Sequence, residues 1–169
     1  MIPDVSLRNA DAKTRLATYL NDHLGGSSTG RELARRALAN NRGNEYGVVL
    51  EDVARQIEED TDTLLELMRR LDVRPDRVKE RLGWAAEKLG RLKLNGQLLG
   101  YSPLSRLIEL EGVMLGIAGK LALWQALRIA LDGDPRIEGI DLEHLTQRAR
   151  EQRRAVERLR RRAAVEALS

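Results

Sequence analysis

Residues 47–73 read GVVLEDVARQIEEDTDTLLELMRRLDV. Leu50, Val53, Ile57, Leu64, Met68 and Leu71 recur at intervals of three and four, the spacing of one helical face rather than the alternation of a strand. That apolar stripe carries one acid, Asp60, between Ile57 and Leu64. Successive helical residues are about 100° apart. With Ile57 taken as pointing inward, Glu59 and Asp62 fall at about 200° and 140° and face solvent. Asp60 and Thr61 lie within about 60° of the core direction, and Glu58 sits on the flank. A helix that sends a carboxylate inward needs a partner for it, because an unpaired buried charge is costly.

The same period runs through the rest of the chain, and no stretch alternates long enough to make a sheet. Prolines occur only at positions 3, 75, 103 and 135, each where a helical pattern starts or stops. Five helices are expected, over 11–40, 46–71, 75–93, 103–131 and 141–167, with residues 1–10 as a tail. The loops NNRGNE, DVRP, NGQLLGYSP and DGDPRIEGI carry the turn residues between them. The first helix is read as continuous through Gly25, Gly26 and Gly30, although Thr29-Gly30-Arg31-Glu32 also has the form of a capping box opening a fresh helix. Its inward face is expected to hold Leu16, Leu20, His23, Ser27, Arg31, Ala34 and Leu38. The fourth, LSRLIELEGVMLGIAGKLALWQALRIAL, is apolar over more than half its circumference and is expected to be the most buried. Short connections favour an antiparallel up-and-down bundle.

Composition narrows the chemistry. The chain has 169 residues, enough for one domain with a real core. It has no cysteine, which removes disulfides, thiolate metal sites and a cysteine nucleophile. Two histidines leave little material for a His-rich zinc site. Phenylalanine is absent and aromatics make up 3 %, so no stacking platform for single-stranded nucleic acid is at hand. The net charge is +3. Neither a secretory signal nor an apolar run of membrane-spanning length is read, which gives the expectation of a soluble cytoplasmic protein without a membrane partner. No glycine loop follows a strand, and no serine is paired in sequence with a base.

Several polar residues converge on the middle of the bundle. Glu111 is read near the centre of the fourth helix's apolar arc, with Glu109 pointing out. Gln152 joins a stripe made of Leu142, Leu145, Ala149, Val156 and Leu159 on the last helix, where His144 faces outward. Two readings stand side by side. One is a carboxylate metal site from His23, Glu58, Asp60 and Glu111, holding Fe, Mn or Zn. The other, favoured, is a satisfied polar layer of Ser27, Arg31, Thr61 and Gln152 with no cofactor, Arg31 neutralising Asp60 or Glu111.

YLNDHLGGSSTGRELARRAL at 19–38, followed by 47–73, resembles the first helical hairpin of the ferritin-like superfamily. The resemblance implies a four-helix bundle with Glu from two helices and Glu-x-x-His from the other two, here followed by an additional arginine-rich helix. Glu58 matches the first glutamate of one Glu-x-x-His slot, but Thr61 stands where histidine belongs. The helix-one glutamate falls near Ser27, and Glu111 matches a ligand of the third family helix. The last slot reads Glu151-Gln152-Arg153-Arg154, with arginine in place of histidine.

Residues 148–162 hold eight arginines against two glutamates, a local charge of +6. That stripe fits either a solvated helix face, which is favoured, or non-specific binding of DNA phosphates. Trp84 and the strip Gly112, Gly116 and Gly119 are candidates for a homodimer interface. The expected function is that of a non-catalytic ferritin-like bundle acting through self-association or contacts with a protein partner. Metal binding and DNA binding are the alternatives.

Overall fold

The computed structural model describes residues 5–76 and 100–169. They form α1 (Val5–Asn40), α2 (Glu45–Arg70), α3 (Pro103–Ala130), a 3-10 turn (Pro135–Ile137) and α4 (Leu142–Leu168). Local chemistry sets the ends. Asn44 caps α2 by accepting from the N–H groups of Tyr46 and Gly47, Ser102 caps α3 ahead of Pro103, and Asp141 caps α4. α2 ends with Asp72 in the left-handed region (φ 55°). Val73 N–H donates to Met68 C=O and Asp72 N–H to Arg69 C=O, which satisfies two of the last carbonyls.

α1 is unbroken through Gly25–Gly30. It also starts at Val5, so most of the expected tail is helical: no glycine or proline lies between Pro3 and Gly25 to stop it. Its buried stripe is Leu20, Leu24, Ala34 and Ala37. His23, Ser27 and Arg31, expected to face the core, are half-buried on its flank. The expected helix at 75–93, with Trp84, lies outside the described residues except for its first two positions, which are not helical.

The four helices form a ring in which α1 packs on α2 and α3, and α4 packs on α3 and α2. Cross-contacts fix the directions. On α2 and α4, Glu45 pairs with Arg162 and Asp60 with Arg148, so the two run antiparallel. On α3 and α4, Arg106 pairs with Glu166 and Arg128 with Glu143, again antiparallel. Gly112 of α3 faces Leu33 of α1 and Gly116 faces Gly30, so α1 and α3 are antiparallel as well. The four described helices therefore run up, down, down and up, the directions that an alternating order of the five expected helices gives its first, second, fourth and fifth members. Asn21, near the middle of α1, holds Arg74 and Asp76, whereas Asn41, just past the end of α1, holds Tyr101. Those anchors are about 30 Å apart along a helix rising about 1.5 Å per residue.

Two further expectations are corrected. The arginine-rich helix is not an addition to a four-helix bundle but one of the four members of this ring, with Ala149, Gln152, Val156 and Ala163 buried. α3 is not covered on all sides: Leu104, Leu115 and Ile129 are exposed, Ile129 at 77 %. A four-membered ring covers only part of each helix, and α3 carries more apolar residues than that part holds.

The core divides into two clusters. One gathers Leu20, Leu24, Leu64, Met68, Trp124 and Leu145, and the other Ala37, Leu50, Val53, Leu110, Ile117 and Val156. Asp60, Thr61, Lys120 and Gln152 occupy the level between them along their helices.

Candidate functional site

The centre of that level is the Asp60 carboxylate, whose side chain is 1 % exposed. Arg148 of α4 donates to Asp60 Oδ1, and Lys120 of α3 donates to Asp60 Oδ2. Gln152 ties the group together: its Oε1 accepts from Lys120 Nζ at 2.6 Å, and its Nε2 donates to Gln56 Oε1 at 3.0 Å and to Asp60 Oδ2 at 3.2 Å. Arg148 also donates to Glu59 Oε2 at 3.1 Å, on the solvent side of the cluster. The network links α2, α3 and α4. Burial pushes the Lys120 ammonium pKa below its ordinary value; Asp60 opposes that shift and Arg148 adds to it.

Beside the cluster lies a cavity of about 180 Å³. Its floor is Ile57, Asp60, Thr61 and Leu64 of α2; one wall is Asp22, His23, Gly26, Ser27 and Gly30 of α1; the other is α3 from Val113 to Trp124, including Lys120. Glycines make this space. A Cβ on Gly26, Gly30 or Gly119 would meet nothing within 4 Å. Thr61 and Ser27 give their hydroxyl protons to Ile57 C=O and Leu24 C=O of their own helices. His23 stands edge-on to Tyr19, ring centroids 4.6 Å apart. Burial lowers its pKa, with Asp22 opposing, so the neutral imidazole is favoured.

The structure brings together only part of the metal-ligand set read from sequence. Asp60 and His23 line the same cavity. Glu58 lies on the flank and pairs with Arg35 at 2.6 Å. Glu111, expected in the apolar arc, is 49 % exposed and, among the described residues, pairs with Arg160 alone, at 3.8 Å. Its neighbour Glu109, expected outside, is buried. The arc that centres on Glu111 takes in Leu107, Ile108, Met114 and Leu115, but Leu115 is exposed, and the face that packs runs through Leu110, Val113 and Ile117. Among the described residues, no three His, Asp or Glu side chains come together as a metal-holding group. Nor does the donor set suit a divalent ion, because both Asp60 oxygens face cations that would repel one.

Of the expected polar layer, Thr61 and Gln152 are buried and Ser27 is half-buried. Arg31 is not among Asp60's partners; that role falls to Lys120 and Arg148, which sequence reasoning missed. A signal existed for each. Lys120 stands three residues from both Ile117 and Leu123 in an apolar run, and Arg148 sits between Leu145 and Gln152. Gly112 and Gly116, offered as a dimer surface, serve the contact of α3 with α1 within the chain.

A second polar group closes the end of the bundle where α1 ends and α3 begins. Glu109 lies 2.9 Å from Arg36 Nε and accepts from Asn40 Nδ2 at 3.0 Å and the Tyr101 hydroxyl at 3.0 Å. Burial is the main cause of the Tyr101 pKa being pushed up to about 12. Arg106 donates to Asn41 at 2.8 Å and lies over the Tyr46 ring, 4.6 Å from its centroid. This group fastens the end of α1 to the start of α3. No helix among the described residues is long and apolar enough to cross a membrane. The chain matches no family model, no curated protein and no solved structure.

Proposed function

We propose that this protein is a ferritin-like helical bundle working as a non-catalytic scaffold through self-association, its middle layer closed by ion pairs where such bundles place metal. The observation that carries the reading is the double compensation of Asp60 by Lys120 and Arg148. Two protein cations supply the positive charge that a metal would otherwise bring to a buried carboxylate. The directions of the four described helices, with α1 antiparallel to both α2 and α3, support the ferritin-like assignment.

Self-association is supported by the open face of α3. Leu104, Ile108, Leu115, Ala118, Ala122 and Ile129 follow a four-three spacing broken only by Glu111 and Gln125. Leu104, Leu115 and Ile129 on it are exposed. Such a seam suits a helix from a second copy of the chain.

Sedimentation velocity across micromolar concentrations tests this, with a dimer of twice the 19.0 kDa chain mass expected and Leu115→Glu returning it to monomer. A monomer at every concentration overturns the self-association reading. Elemental analysis after loading with Fe(II), Mn(II) or Zn(II) and desalting is expected to find far less than one equivalent. Stoichiometric metal that disappears in Asp60→Ala would replace the scaffold by a metal protein.

A further inference from the structure

The cavity beside Asp60 has features that the packing of the bundle does not call for. Alanine is a better helix former than glycine, and at Gly26, Gly30 and Gly119 its extra carbon would touch nothing. Glycine there keeps a space open rather than permitting a close contact. The wall also includes Trp124, which is 0 % exposed and whose Nε1–H has no hydrogen-bond partner among the described residues. Buried indole N–H groups ordinarily have one.

Charge and donors define what would fit. Lys120 Nζ has three N–H donors, of which two go to Asp60 and Gln152. The third has no partner among the described residues and can meet a ligand. Inside the cluster one carboxylate, Asp60, faces two cations, Lys120 and Arg148. The carboxylate on Arg148's other nitrogen, Glu59, is 45 % exposed and therefore screened by water. Asp22 is exposed at the rim. The deep part of the cavity thus meets, through Lys120, a cluster in which one buried carboxylate faces two cations, and is otherwise bounded by apolar walls. A cavity of about 150 Å³ is large enough to take benzene, so this one suits a body of that size carrying one small head group.

We propose that the cavity binds a small apolar monocarboxylate, its carboxylate on Lys120 Nζ and its hydrocarbon body against Leu64, Val113 and Leu115. The neutral His23 ring is a further donor for the head group.

Isothermal titration of the full chain with benzoate and hexanoate tests the site, with benzyl alcohol and hexanol as uncharged controls. Saturable binding of the acids at about 1 mM or tighter is expected, at least tenfold stronger than that of the alcohols. Lys120→Met should weaken acid binding at least tenfold while Asp60 keeps Arg148 and Gln152. Gly119→Leu, which fills the mouth without touching a charge, should abolish binding of acids and alcohols alike, its thermal unfolding showing that the bundle is intact. No saturable heat with the native chain at 20-fold the expected constant, equal affinity for acids and alcohols, or undiminished binding in a folded Gly119→Leu each overturns the proposal.

Discussion

Asp60 has two cationic partners, and this sets a definite order among its variants. Asp60→Asn removes the only full negative charge from between Lys120 and Arg148, which are 13 % and 18 % exposed. Stranding a buried charge in this way costs about 3–5 kcal/mol. Lys120→Met instead leaves Asp60 with Arg148 and Gln152, so its cost is smaller, about 1–3 kcal/mol. The double variant Asp60→Asn/Lys120→Met removes one charge of each sign and should recover part of the Asp60→Asn loss. Urea unfolding of the three variants checks the order; a mild Asp60→Asn would mean that water already reaches the cluster. Asp60 itself was legible in sequence because it interrupts a stripe of Ile57 and Leu64. Its partners were not, because spacing within one helix carries no information about which residue of another helix arrives opposite. Arg31 and Lys120 were equally available as cations, and only the arrangement of α1 against α3 separates them.

Helix extents were read almost to the residue wherever a cap or breaker sits at the end. Asn44, Ser102 with Pro103, and Asp141 mark their helices through side-chain acceptors that need only local sequence. The burial of whole faces was less legible. On α3, Leu115 and Ile129 look as core-like as Leu110 and Ile117, since periodicity records polarity and not neighbours. A helix can also depend on a residue that propensity would replace. Gly47, in the first turn of α2, packs under the end of α1: a Cβ there would lie 2.3 Å from the backbone oxygen of Asn41. A backbone atom cannot step aside as the tip of a side chain can. Asn41 is also fully buried and receives Arg106 while donating to Tyr101. Gly47→Ala should therefore destabilise by about 2 kcal/mol or more, although alanine gains about 1 kcal/mol in an unstrained helix. Thermal unfolding of Gly47→Ala beside Gly26→Ala separates the two effects, since Gly26→Ala, in open space, should be neutral or stabilising.

Over the whole molecule, charge is arranged so that a basic helix does not amount to a basic surface. The +6 of residues 148–162 stands against a net charge of +3 for the chain, so the rest must answer it. Arg148 turns inward to Asp60 and Glu59, Arg160 and Arg161 share Glu157, and Arg162 reaches Glu45 and Glu166. These pairs cross between α2 and α4 and within α4, so the up-down-down-up order is what places acids beside the arginines. Among the described residues, Arg150 and Arg154 have only loose partners, at 4.0 and 3.9 Å. Together with exposed Arg153 and Arg158, they are the groups best placed to meet phosphates. About four contacts give a slope near −4 in log affinity against log salt, the regime of weak, sequence-independent binding. A gel shift with a short DNA duplex should accordingly show no retained complex at about 150 mM salt. Any binding at lower salt should fade steeply and fall further in Arg154→Glu/Arg158→Glu. A complex that survives 150 mM salt, or a slope well beyond −4, would mean that the intramolecular pairs open to release their arginines. α4 would then be a nucleic-acid surface held in reserve by its own glutamates.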